Sequence, residues 1–142
     1  MRNIEYKKSW GLCRIGKSYE FSAAHMLPMV ADGHKCKNLH GHNYVVEVEI
    51  RGEISPKDGF CNNTDFYVLD KAMQPIIKTL DHHYLNDITG LENPTAELIA
   101  AWILQRLNEE LAAYFSVTVW ETPKCWAQVV NREGWYQKEH RE

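Results

Sequence analysis

Three of the seven histidines in the chain carry the spacing of a metal site. On an extended strand, residues two apart point to the same side, so His40 and His42 can offer two imidazoles to one ion. Gly41 between them leaves room for a ligand or for a neighbouring backbone. His25 ends a separate strand-like segment and can complete the set. Three neutral nitrogen donors suit zinc and leave the fourth tetrahedral position open, as a catalytic metal requires. The competing reading is that His40 and His42 are loop histidines satisfied without a metal. No Cys-x2-Cys pair exists to build a closed structural zinc site.

Cys36 stands four residues before His40, flanked by Lys35 and Lys37. A thiolate beside a Lewis-acid metal is a suitable base for taking a proton from carbon. Asp81 precedes His82 and His83, and a carboxylate next to an imidazole can hold its tautomer and tune its basicity. Glu121 falls on the same face of a predicted strand as Phe115, Val117 and Val119. A carboxylate closing an apolar stripe is costly without a partner. It either accepts two hydrogen bonds from a flat amino-heterocycle or emerges into solvent at the strand end. Glu97, in the first turn of a predicted helix, reads by itself as a dipole or capping carboxylate.

The elements that must carry these groups follow from periodicity. A first strand is expected from Leu12 to His25, and a loop follows with Pro28, Asp32 and Gly33 as turn residues. Residues 42–51 alternate: Tyr44, Val46, Val48 and Ile50 on one face, Glu47, Glu49 and Arg51 on the other. Residues 55–59 (SPKDG) form a turn leading into a hairpin partner. Helical spacing then links Phe66, Leu69, Met73, Ile76, Ile77 and Leu80. Pro75 lies inside that pattern, so the helix is kinked there or divided in two. A second helix is expected to open at Asn93 and Pro94, Asn as cap and Pro in the first helical position. Its apolar stripe is Ile99, Trp102, Ile103 and Leu107. Two closing strands are expected at residues 115–122 and 125–131. Strands joined by short connections, with the helices contiguous, imply an α+β antiparallel sheet with helices on one face. The bare edges and second face of so small a sheet call for oligomerisation.

With 142 residues the chain makes one domain, 1–142, and its 44% hydrophobic and 25% charged residues fit a globular protein. A formal charge of -3 argues against nucleic acid or an anionic membrane as the main partner. No apolar run is long enough to span a bilayer, and residues 1–10 hold no secretory core. A cytoplasmic setting is therefore expected, with Cys13, Cys61 and Cys125 as ordinary thiols and no disulfide framework.

Taken together, residues 21–25 (FSAAH), 33–42 (GHKCKNLHGH), 80–86 (LDHHYLN), 90–97 (GLENPTAE) and 121–122 (ET) resemble the 6-pyruvoyltetrahydropterin synthase family. The compact Cys-x3-His-Gly-His spacing is similar to its bacterial branch, the 6-carboxytetrahydropterin synthases of queuosine biosynthesis. The resemblance implies a T-fold, a four-stranded antiparallel sheet backed by two helices, with trimers closing a barrel and pairs of trimers forming a homohexamer. It implies zinc on His25, His40 and His42, and Cys36 as catalytic proton acceptor. Asp81 and His82 would act as a relay across a subunit boundary. Glu121 would anchor the pterin ring, with Thr95 and Glu97 as a second part of that pocket. The implied reaction converts 7,8-dihydroneopterin triphosphate to 6-carboxy-5,6,7,8-tetrahydropterin, releasing acetaldehyde and triphosphate.

Three segments depart from the family pattern: Met26 where an arginine is common, residues 61–64 (CNNT), and residues 123–126 (PKCW). They leave the metal and base positions intact and bear on the side chain of the substrate. Alternatives within the resemblance are a pyruvoyl-forming triphosphate elimination and a non-catalytic pterin- or metal-binding paralogue. A cupin would pair His-x-His with a following glutamate. Glu47, however, faces opposite to His42 on a straight strand, and two contiguous helices are foreign to an all-β barrel.

Overall fold

The computed structural model describes residues 10–111 and 114–131. The segment read for a secretory core lies, up to residue 9, outside them. The strands are β1 (Leu12–His25), β2 (His40–Glu53), β3 (Tyr114–Thr122) and β4 (Cys125–Val130), and the helices are α1 (Phe66–Leu80) and α2 (Ala96–Glu110). The sheet is antiparallel, in the order β1-β2-β3-β4. Both helices fall between β2 and β3 in the chain, yet those strands are neighbours. The helices therefore cover one face of the sheet, α1 against β1 and α2 against β3 and β4.

The alternation in β2 sets the layers. Tyr44, Val46, Val48 and Ile50 are fully buried, with Phe115, Val117 and Val119 beside them on β3. Leu69, Met73 and Leu80 of α1 and Ile99, Ile103 and Leu107 of α2 close over them. Each such side chain contributes about 1.5–3 kcal/mol when removed from water. The opposite face carries Glu47, Glu49 and Arg51, and among the described residues no helix lies over it. That two-layer α+β arrangement is the expected one, and it excludes the cupin barrel. Among the described residues, no helix is long and apolar enough to cross a membrane.

Four local features differ from, or decide between, the sequence expectations. α1 is a single helix that runs through Pro75. The hairpin partner after residues 55–59 does not form as a strand. The chain returns only as the isolated bridges Ile54↔Cys61 and Cys61↔Thr64. Asn62 and Asn63 adopt left-handed backbone angles, φ 50° and 55°, which end the pairing and turn the chain into α1. The cap of α2 is Thr95, not Asn93: its side chain accepts from the Leu98 N–H at 3.2 Å, so Pro94 lies outside the helix.

The fourth difference is a correction to the cysteine reading. Cys13 and Cys61 are joined in a disulfide, with Cα atoms 6.0 Å apart, leaving Cys36 and Cys125 free. Register explains it. Cys13 lies opposite Gly52, and the residue 61–64 turn packs directly on Gly52, where a Cβ would come within 2.6 Å of the Asn62 Cβ. Only glycine lets the turn approach closely enough to bring Cys61 to β1.

Candidate metal centre

β1 and β2 pair to their very ends, so His25 lies directly opposite His40, and Ala23 opposite His42. The three histidines share the helix side of the sheet, where their ligand nitrogens lie within 4.8 Å of one another. Gly41 accommodates a neighbouring backbone: a Cβ there would come within 3.2 Å of the Ala23 carbonyl oxygen.

Hydrogen bonding settles the tautomers. His25 Nδ1 is 2.9 Å from the Pro94 carbonyl oxygen and His40 Nδ1 is 2.7 Å from that of Asn38. A carbonyl only accepts, so both Nδ1 atoms donate, and each neutral ring carries its lone pair on Nε2. Those two Nε2 atoms face each other at 2.9 Å. Two lone pairs at that distance repel unless a cation lies against them. His42 Nε2 is buried with no hydrogen-bond partner among the described residues. Burial holds His25 and His42 below the ordinary histidine value, which favours their neutral, ligand-competent form. Three clustered nitrogens, two of them on rings oriented by carbonyls behind them, make a donor set of the kind that suits an open zinc site. The residues present fit the metal.

The structure places the other expected groups as follows. Asp81 and His82 lie just past α1, along the free edge of β1. One Asp81 oxygen accepts the Ser22 N–H at 2.9 Å and the other lies 3.0 Å from His82 Nδ1. The Ser22 N–H, and after it His82, hold the Asp81 carboxyl below its ordinary value. His82 is 82% exposed and its backbone is left-handed, φ 58°, an uncommon state for a side chain of that size. His42 and His82 border the same cleft of about 560 Å³, together with Ser22, Ala24 and Asn43.

Glu121 is half-buried beside the β3–β4 register shift. It acts electrostatically on both His42 and Tyr44, opposing the effect of burial on His42 and reinforcing it on Tyr44. It is therefore a neighbour of the histidine cluster. Cys36 sits half-buried in a 3-10 turn, Lys35–Lys37, whose Cys36 carbonyl accepts the Leu27 N–H at 2.8 Å. Of its two flanking cations, Lys37 is paired with Asp32. Thr95 spends its hydroxyl oxygen on capping, and Glu97 is exposed in the first turn of α2.

Sequence reasoning missed the carbonyls of Pro94 and Asn38, which leave no side-chain signature, and the buried phenol of Tyr44, whose hydroxyl has no partner among the described residues. It also missed Asn86, which hydrogen bonds the backbone of Met26, the residue after His25. Asn86 was visible only as the last letter of the segment LDHHYLN.

The family model for 6-pyruvoyl tetrahydropterin synthase matches residues 14–132. A 6-carboxy-5,6,7,8-tetrahydropterin synthase of Synechocystis is 43% identical over 112 residues, 76% of this chain and 85% of that protein. A dihydroneopterin monophosphate aldolase of Pyrococcus furiosus is 40% identical over 98 residues, 69% of this chain and 77% of that protein. The solved Caenorhabditis elegans 6-pyruvoyl tetrahydropterin synthase superposes with a TM-score of 0.76 at 30% identity, covering 87% of this chain and 98% of that one.

Proposed function

We propose that this chain, which belongs to the 6-pyruvoyl tetrahydropterin synthase family, is a zinc-dependent lyase. It converts 7,8-dihydroneopterin triphosphate and one water to 6-carboxy-5,6,7,8-tetrahydropterin, releasing acetaldehyde and triphosphate, in queuosine (7-deazaguanine) biosynthesis in the cytoplasm. The reading is carried by the two Nε2 lone pairs facing each other at 2.9 Å beside the bare His42 Nε2. It is supported by the 43% identical relative of that name.

In this reading His25, His40 and His42 hold zinc, which supplies Lewis-acid polarisation of substrate oxygens and acidifies the adjoining C–H bonds. Glu121 anchors the pterin ring by accepting two of its N–H groups. The Thr95 hydroxyl, which accepts only the Leu98 N–H, keeps its hydrogen for the same ring, with Glu97 as the carboxylate beside it. Cys36 takes and returns the proton at carbon. Asp81 keeps the Nδ1–H of His82 pointed at itself, so the neutral His82 ring presents a basic Nε2 to the cleft.

Product analysis tests the proposal. Zinc-loaded protein given 7,8-dihydroneopterin triphosphate is expected to release acetaldehyde and form the 6-carboxy product. Formation of the 6-pyruvoyl product instead would move it to the elimination reaction of the wider family. No turnover with bound pterin would make it a binding paralogue. The Pyrococcus relative favours one further reading, an aldolase acting on the monophosphate, so that compound belongs in the same assay. Cys36→Ala is expected to keep zinc and lose at least 100-fold in turnover, on the order expected for a removed acid–base group. His42→Ala is expected to lose the metal. Equal activity in the first variant removes Cys36 as the base, and full zinc occupancy in the second removes His42 as a ligand.

A further inference from the structure

β1 ends at His25, so the backbone carrying the most buried of the three histidines is the place where the sheet stops supporting it. Its inner edge still pairs with His40, but among the described residues its outer edge has no strand partner. Residues 82–86 take that place. The His82 N–H donates to the Ser22 carbonyl at 2.7 Å, and the Ala24 N–H to the His83 carbonyl at 3.2 Å, while Tyr84 forms a parallel bridge to Ala24. Two residues further along both segments, the partners are Met26 and Asn86.

There the main chain of Asn86 is already coiled in the 3-10 turn Leu85–Asp87 and cannot continue a ladder. Its side chain does so instead. Oδ1 accepts the Met26 N–H at 3.0 Å, and Nδ2 donates to the Met26 carbonyl at 2.8 Å. A carboxamide has the donor and acceptor of a peptide group, so it can stand in for one. The same Nδ2 lies 3.3 Å from the Glu92 carbonyl. Glu92 is two residues before Pro94, whose carbonyl orients the His25 ring. One amide therefore ties down both supports of His25: the backbone that follows it, and the segment that fixes its tautomer.

We propose that Asn86 is a positioning residue for the metal centre, holding Met26 and residues 92–94 so that His25 Nε2 stays aimed at His40 and His42. The inference rests on the reading of the three histidines as zinc ligands. Groups that orient a metal-bound imidazole from behind are worth about 10–100-fold in metal affinity. Aspartate at this position would keep an acceptor for the Met26 N–H but would set an oxygen against the carbonyls of Met26 and Glu92.

The test is zinc affinity by chelator competition, together with the visible absorption of the cobalt-substituted protein. Wild type is compared with Asn86→Ala, Asn86→Asp and the control Asp70→Ala. Asp70 binds Lys17 and Tyr19, far along β1 from the centre, so its loss weakens α1–β1 packing without touching the histidines. Expected is a 10–100-fold loss of zinc affinity in Asn86→Ala. Its cobalt spectrum should be weaker and shifted, and affinity within about twofold of wild type should be kept in Asp70→Ala even when its thermal midpoint falls as far. Asn86→Asp, nearly isosteric, decides the matter if the alanine variant does not fold, and it is expected to lose affinity as well. Wild-type affinity and spectrum in a folded Asn86 variant overturns the inference. A wild-type protein that binds no zinc overturns the metal reading itself, a result separate from the behaviour of Asn86.

Discussion

Burial holds His25 below the ordinary histidine value; the Pro94 carbonyl pulls the other way, and His40 and His42 deepen the depression. For His42 burial again leads, Glu121 opposes it, and His40 adds to it. A histidine kept neutral in the fold but free to protonate when unfolded makes the unfolded state the one that binds more protons. Stability then rises with pH. For metal-free protein this sets a window: full stability above about pH 6.5, the unfolded-state value, and a progressive loss as the pH falls below it. Asp81 has the same sign at a lower range, because its native carboxyl is also depressed, so its contribution disappears only below about pH 4. Urea unfolding of the metal-free protein from pH 8 to 5 is expected to show a level midpoint down to about 6.5 and a decline beyond it. A midpoint that climbs towards pH 5 would mean that these rings are protonated in the fold and unfit to bind a cation.

At the scale of elements, the disulfide joins the start of β1 to the turn that leads into α1, while the histidines sit at the other end of β1. Its removal is therefore expected to lower stability without changing the metal centre. With a sequence separation of 48 residues, loop-closure entropy gives about 4 kcal/mol, an amount native-state effects commonly reduce. Cys13→Ala/Cys61→Ala should unfold at lower urea while its zinc affinity stays at the wild-type value. Denatured, unreduced wild type should titrate two thiols. Four thiols would show that the bond does not form. Cys61 is only 4% exposed while Cys13 is half-buried, so an attacking thiol reaches the bond from the Cys13 side.

This cross-link also marks where the sequence stops being legible. β1 and β2 were readable because alternation is a local property, and the histidine triad because two of its members share one strand. Cys13 and Cys61 meet only through the register that puts Cys13 opposite Gly52, and no local pattern encodes a register. The cap of α2 moved from Asn93 to Thr95 for a related reason. Both residue types can cap, and the choice fell to the tertiary contact that commits the Pro94 carbonyl to His25. Glu121 drew notice as a carboxylate closing an apolar stripe, yet its proximity to His42 came only from the β2–β3 pairing that sets Val45 opposite Trp120.

At the scale of the whole molecule, the described residues form a four-stranded sheet with one helical layer, in which β1 and β4 are the edges and one face has no helix over it. Residues 82–84 close only the last part of the β1 edge, and the exposed His82 stands there. A neighbouring chain docked along that edge would meet His82 and the cleft it borders, so a shared active site follows naturally from a trimer or hexamer. If Cys36 of one chain works with His82 of the next, two defective variants can repair each other. In a cyclic trimer assembled at random from equal amounts of Cys36→Ala and His82→Ala chains, about a quarter of the sites draw both intact groups. Sedimentation should first show a trimer or hexamer of the 16.6 kDa chain, and mass spectrometry should show mixed assemblies after subunit exchange. The mixture is then expected to regain roughly a quarter of wild-type turnover, although each variant alone is inactive. If both groups serve the site from the same chain, every chain in the mixture carries a lesion and no activity returns. Absence of recovery in verified mixed oligomers would therefore place Cys36 and His82 on one subunit.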